Sequence, residues 1–293
     1  MKTYTEVNVN FDKILISKDI QITSLGSCFS TEIGKKMQDS GHQILVNPFG
    51  VLYNPISIYS SLQLLYNDYK FTENDIIERD PYYGSRKKEK ASTKLNNKTI
   101  ENLKTHRSIT TCIGGYTSYY HHGSFTRPTI EEFLKDANKS LNQSREHYSN
   151  SQTIIITFGT SWAYKNIEKN IIVSNCHKHK ANEFERIFIS KEQIVKLYSE
   201  IIENQSILTN SSKRNWIFTV SPIRHIKDGL HGNQISKANL LLAIEELRLK
   251  YSNVFYFPSF EIMLDELRDY KYYASDLIHP SDEAIEYIWQ KLQ

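Results

Sequence analysis

The stretch Gln21-Ile-Thr-Ser-Leu-Gly26-Ser27-Cys28-Phe29-Ser30 decides how this chain is read. It is a short apolar strand, taken as Ile14 to Ile16 and then Gln21 to Leu25, that breaks at a glycine. An amphipathic helix follows, with Ile33 and Met37 one turn apart. A strand turning into a helix through Gly-Ser-Cys carries two small nucleophilic side chains at the helix start. Unpaired N–H groups there favour an oxyanion or a thiolate. Near the other end, Ser275-Asp276-Leu-Ile-His279-Pro280-Ser281 precedes the last helical pattern. An aspartate three residues before a histidine can hold one imidazole nitrogen and leave the other free as a base. Together the two stretches indicate acyl chemistry.

Working outward, further apolar strands alternate with helical patterns. Ile44–Val46 follows the Gly41 stop, and the turn-rich Asn47-Pro-Phe-Gly50-Val-Leu-Tyr-Asn54-Pro55 leads into a helix over Ile56–Tyr69. Periodicity fades from Lys70 to Arg127. There the charge run Arg86–Lys90 reads as a solvated loop, and the aromatic, glycine-rich segment from Cys112 to Phe125 reads as part of an insertion covering a site. Thr129–Tyr148 is helical, opened by the cap pattern Thr129-x-x-Glu132. Thr153–Phe158, Trp216–Val220 and Val254–Phe257 are buried strands, and Ile171–Val173 belongs to a small hairpin. Helices over Ser190–Glu203, Lys237–Tyr251 and Asp282–Leu292 complete the pattern. Five strands separated by helices predict a doubly wound parallel sheet in a single domain spanning 1–293, with residues 70–128 as a lid or cap within it. Ligands in such sheets sit beyond the carboxyl ends of the strands. Those ends carry Ser27 and Cys28, Gly50 and Asn54, Gly159 and Ser161, and Arg224 and His225.

The composition is that of an ordinary globule, with 39% hydrophobic and 24% charged residues. A net charge of +3 points to neither a nucleic acid nor a membrane as partner. No run approaches the ~18 apolar residues of a membrane span. The first residues do not resemble a signal peptide, and three scattered cysteines form no disulfide framework, so a cytoplasmic location is expected. Cys176-His177-x-His179 lies outside the common zinc spacings, and neither a metal nor a cofactor is expected.

Gly26-Ser27-Cys28-Phe29-Ser30 resembles the signature of the GSCFA domain family, with serine in place of the final alanine. Further motifs fit that family along almost the whole chain. They are Asn47-Pro-Phe-Gly50 with Asn54-Pro55, His122-x-x-Phe125, Asn175-Cys-His-Lys178, Ser221-Pro-Ile-Arg-His225 and Asp276-x-x-His279-Pro280. The family is similar to a branch of the SGNH (GDSL-type) hydrolases, whose members are esterases, lipases and acyltransferases. The resemblance implies a flavodoxin-like three-layer α/β/α fold, a nucleophile after the first strand and Asp-x-x-His before the last helix. Laid over Gly-Asp-Ser-Leu, this sequence places Cys28 at the nucleophile and Ser27 at the aspartate. Gly159-Thr160-Ser161 stands where the superfamily has Gly-x-Asn, so the oxyanion asparagine is absent.

The expected function is therefore esterase or O-acyltransferase chemistry on a small-molecule or carbohydrate acyl substrate. Cys28 or Ser27 attacks, His279 moves the proton and Asp276 orients it. The N–H groups of Cys28 and Gly50, helped by Ser161, Asn54 or His225, hold the oxyanion. Arg224, His225, His177 and His122 are expected to touch substrate. The alternatives are a non-catalytic ligand-binding module on the same fold and a metal-dependent hydrolase.

Overall fold

The β-branched and aromatic runs build one parallel sheet in the computed structural model, which describes residues 4–10, 12–79, 114–206 and 213–293. The first half of the chain gives β1 (Gln21–Gly26), α1 (Cys28–Asp39), β2 (Gln43–Val46), α2 (Pro55–Tyr66), β3 (Ile76–Arg79), β4 (Gly115–Ser118) and α3 (Ile130–Asn150). The second half gives β5 (Thr153–Phe158), β6 (Trp162–Asn166), β7 (Ile171–Val173), β8 (Phe184–Phe188), α4 (Lys191–Gln205), β9 (Asn215–Val220), α5 (Gly229–Lys250), β10 (Val254–Phe257) and α6 (Asp282–Leu292). The sheet order is β2-β1-β5-β9-β10, all parallel, which is the flavodoxin-like order. The chain reverses its direction of winding between β1 and β5. A ligand crevice is expected at that switch point.

Alternation along the central strands divides the core into two layers. Ile154, Ile156 and Phe158 of β5 join Trp216, Phe218 and Val220 of β9 on one face. There they pack against Leu62 of α2, Phe133 of α3, Tyr198 of α4 and Leu247 of α5. Ile155 and Ile217 point to the other face, against Phe29, Ile33 and Met37 of α1 and Ile288 of α6. The result is the expected three-layer α/β/α arrangement. Among the described residues, no helix is long and apolar enough to cross a membrane.

Several elements differ from expectation for identifiable reasons. Lys13–Ile16 is a 3-10 turn rather than the start of the first strand, because the Asp12 carboxylate accepts the Ile14 N–H and caps it. Helix α5 begins at Gly229, eight residues before the expected Lys237, since its buried face there is polar (Asn233, Ser236 and Lys237) and has no apolar period. Ile171–Val173 pairs with β6 as a hairpin, but β8 joins it to make a three-stranded antiparallel sheet. Within the expected 70–128 insertion, β3 and β4 form an antiparallel pair. Cys112 and the Arg86–Lys90 run lie outside the described residues.

Gly26 ends β1 with φ +148°, and a Cβ there would sit 2.2 Å from the Thr157 carbonyl oxygen. Both the conformation and the space require glycine. Gly26→Ala is expected to destabilise the fold by about 3 kcal/mol through displacement of β1 from β5. An unchanged midpoint in denaturant unfolding would contradict this account of the turn.

Candidate functional site

The turn from β1 into α1 is held from three sides. Gly26 N–H donates to Asn47 Oδ1 at 2.8 Å, Gly26 O accepts from Leu52 N at 2.8 Å, and Ser27 N–H donates to Thr157 O at 3.3 Å. Asn47 adopts φ 44° and also reaches Thr31 Oγ1 at 2.9 Å, so it staples the second loop to the start of α1. Ser27 occupies the N-cap position, yet its side chain makes no capping bond. The hydroxyl is 1% exposed and has no hydrogen-bond partner. The amides of Cys28 and Phe29, in the first turn of α1, thus point beyond the helix with no side-chain cap.

Cys28 is half-buried, and its Sγ lies 3.6 Å from Tyr53 Oη. Burial first, and then the neighbouring Cys28, holds the Tyr53 phenol above its ordinary pKa, so the group keeps its proton and acts as a donor. The Tyr53 ring meets His225 edge-on, with centroids 6.0 Å apart. Tyr53, Asn54, Trp162, Arg186, His225 and His279 are among the residues lining a cavity of about 410 Å³. Tyr53 thus links the cavity, which it lines, to the thiol, which it touches.

The Asp276–His279 segment is rigidly built. Asp276 Oδ1 accepts the N–H groups of Ile278 and His279 at 2.9 and 3.0 Å, and Oδ2 accepts from His279 Nδ1 at 2.7 Å. Leu277 between them has φ 56°, a conformation the Asx turn imposes. These bonds, those from the His279 amide and Ile278 amide foremost, pull the Asp276 carboxyl down to about 2. With Nδ1 bonded to the carboxylate, Nε2 makes no hydrogen bond among the described residues, and His279 lines the cavity. Asp276 does not cap α6, because Ser281 does that through the Ala284 N–H. Among the described residues, His279 makes no hydrogen bond to Ser27 or Cys28.

Other expected site residues are placed differently. Gly50 N–H is already donated to Asn47 O at 2.8 Å, and its missing Cβ makes room for His122, so it offers no oxyanion donor in this arrangement. Ser161 is locked under α5. Its N–H donates to Ser236 Oγ at 2.7 Å, and its hydroxyl donates to Ser236 O and accepts from Asn239 Nδ2. The N–H groups of Gly159 and Thr160 both donate to Tyr53 O. Asn54 caps α2, with Oδ1 accepting from Ser57 N at 2.8 Å, while it also lines the cavity. Arg224 lines the cavity while its guanidinium stacks on Tyr273 at 4.0 Å, and Asp228 pairs with Arg186. His225 stays at the site, with burial foremost, then Lys237 and His279, pushing it down to about 3, so its ring is neutral. His122 and His177 line a neighbouring cavity and not this one. Among the described residues, no three His, Cys, Asp or Glu side chains are grouped as metal ligands.

Sequence reasoning missed two residues here. Tyr53 lies inside the Asn47–Pro55 loop, three residues after Gly50, but nothing in its spacing shows that it reaches Cys28. Lys237 was seen only as a helix start. It is fully buried, with Nζ donating to Gly159 O at 2.6 Å and Ser221 O at 2.7 Å, and so ties the carboxyl ends of β5 and β9 together. Burial pushes it down to about 7.

A search of curated proteins finds no match. The profile of the GSCFA family, in contrast, matches residues 21–114 and 95–292, which takes in β1, the Tyr53 loop, the buried lysine and the Asp276–His279 turn alike. With nearly its whole length matched, this chain belongs to the GSCFA family.

Proposed function

We propose that this chain is a cysteine-dependent acyl-transfer enzyme of SGNH-like design, acting in the cytoplasm on an ester or thioester of a small molecule or carbohydrate. One observation carries the proposal. A half-buried thiol at an uncapped helix N-terminus touches Tyr53, and Tyr53 lines the same cavity as an aspartate-supported imidazole whose Nε2 makes no hydrogen bond among the described residues. In the reaction, Cys28 Sγ forms a bond to the acyl carbonyl carbon while His279 Nε2 accepts the thiol proton. The oxyanion is held by the Cys28 and Phe29 amides, and Tyr53 Oη supplies the donor that the superfamily takes from asparagine. Collapse expels the leaving alcohol or thiol, which takes the proton from His279. Water then releases the acid, or a hydroxyl or amine acceptor carries the acyl group away, with His279 again taking the proton. Cys28 is preferred to Ser27 because the serine hydroxyl is sealed inside the turn.

Two measurements test this. Brief exposure to a p-nitrophenyl ester series, followed by mass spectrometry, is expected to find an acyl adduct on Cys28 and accelerated alkylation of that thiol by iodoacetamide. Asp276→Asn is expected to lower the acylation rate by about 10²- to 10⁴-fold, since the imidazole loses its orienting carboxylate. The folded-state carboxyl lies below its ordinary value, so its support is present above pH ~4 and lost only as pH falls through about 2. The pH profile around neutrality therefore owes nothing to Asp276 titration. A non-catalytic binding module is the second reading, favoured by the engaged amides of Gly159, Thr160 and Ser161. No adduct with any short acyl donor and an ordinary alkylation rate at Cys28 would select it.

A further inference from the structure

Beside the cavity at His279 lies a second one of about 610 Å³, and the two share Tyr164, Asn175, Cys176 and Lys227 along their common wall. The second cavity is strongly one-sided in charge. Arg79, Lys178 and Lys227 line it together with His122, His177 and His179, and among the described residues no aspartate or glutamate does. Glu183 stands behind His179, bonded to its Nδ1 at 3.0 Å, while His179 Nε2 is bonded to Glu78 O at 2.7 Å. Lys227 Nζ bonds the Tyr164 hydroxyl. No ion pair is made by Arg79, Lys178 or Lys227 among the described residues, as Asp228 is taken by Arg186. Cations gathered around a void with no carboxylate among them repel one another and focus a positive potential on it.

The segment that brings them there is built against local preference. His177 and Lys178 are consecutive non-glycine residues with φ 48° and 68°. The turn is held by Asn175 Oδ1 accepting the His177 N–H and Cys176 O accepting the His179 N–H. It aims His177 inward, 1% exposed, its ring beside the backbone of Ser118 and His121 with neither nitrogen in hydrogen-bond geometry. Backbone strain of this kind persists where the rest of the fold over-determines it, and it gathers at ligand clamps. Three cations around one void match a multivalent oxyanion better than a single carboxylate, because a phosphate monoester brings close to two charges and three acceptor oxygens.

We propose that this cavity is an anion subsite for a phosphate or diphosphate group, carried by the substrate whose acyl chemistry takes place in the adjoining cavity. The second half of that statement rests on the acyl-transfer reading; the binding of the oxyanion does not.

The test is calorimetric titration of the full chain with inorganic phosphate, pyrophosphate, acetate and a sugar phosphate at low salt. Pyrophosphate is expected to bind and to weaken as salt is added. Arg79→Gln and Lys178→Gln are each expected to weaken it by about 10- to 100-fold with unchanged circular dichroism. Lys178 is exposed, so its variant guards against a folding artefact at Arg79. No binding by the wild type, equal affinity for acetate, or unaltered affinity in both variants overturns the subsite. A sugar phosphate binding at least as tightly as inorganic phosphate supports a substrate head group, whereas its exclusion with inorganic phosphate still bound overturns that part. Pyrophosphate binding without any Cys28 adduct would sink the acyl-transfer reading and leave the subsite standing.

Discussion

Replacing Cys28 with alanine is expected to reduce p-nitrophenyl ester turnover by at least about 10³-fold and to remove the acyl adduct altogether. The variant keeps the fold, because the sulfur contributes one long contact to Tyr53 and none of the bonds that pin the β1–α1 turn. Cys28→Ser separates nucleophile from position. Its hydroxyl sits at the same helix start but has a far higher pKa, so it depends wholly on His279 and should retain only a small part of the rate. Tyr53→Phe leaves the thiol in place and removes the proposed oxyanion donor, with a loss of about 10²- to 10³-fold expected in kcat. A Cys28→Ala protein that turns over esters as fast as wild type would end the mechanism, whatever the other variants do.

The second large effect concerns Lys237 and stability. Lys237→Met keeps most of the volume but strips the Gly159 and Ser221 carbonyls of a charge-assisted partner inside the core. Leaving a buried acceptor without a partner costs about 1–3 kcal/mol each, so a loss of about 2–5 kcal/mol is expected in guanidinium unfolding at pH 7. The pH dependence adds a signature. The folded-state pKa of about 7 lies below the ordinary 10.5, so above pH 7 the unfolded chain holds a proton that the folded chain has released. Stability of the wild type should therefore rise with pH from about 7 to 10, as the burial penalty is relieved. The Lys237→Met protein should lack that increment. An identical slope in both proteins would mean that Lys237 is not the group responsible.

The same lysine shows where legibility in the sequence stopped. The five sheet strands, α6 and the caps Thr129 and Ser190 were readable because periodicity, β-branched runs and cap residues are local signals. β6 and β8 were not, since Trp162–Asn166 and Phe184–Phe188 are half-buried and find each other across a long intervening loop. The Asp276 to His279 contact was also local, three residues apart and set by an Asx turn.

What the amino-acid order determined by itself is thus the family, the parallel three-layer architecture and the two segments that frame the candidate site, because each is written within a few consecutive residues. What only the tertiary structure decided is which other groups gather around those segments. The contact of Tyr53 with Cys28, the engagement of the Gly50 and Ser161 amides elsewhere, and the basic cavity beside the site all depend on contacts between segments distant in sequence. Such contacts arise from the crossing of loops over one sheet edge, and no period or spacing along the chain encodes them.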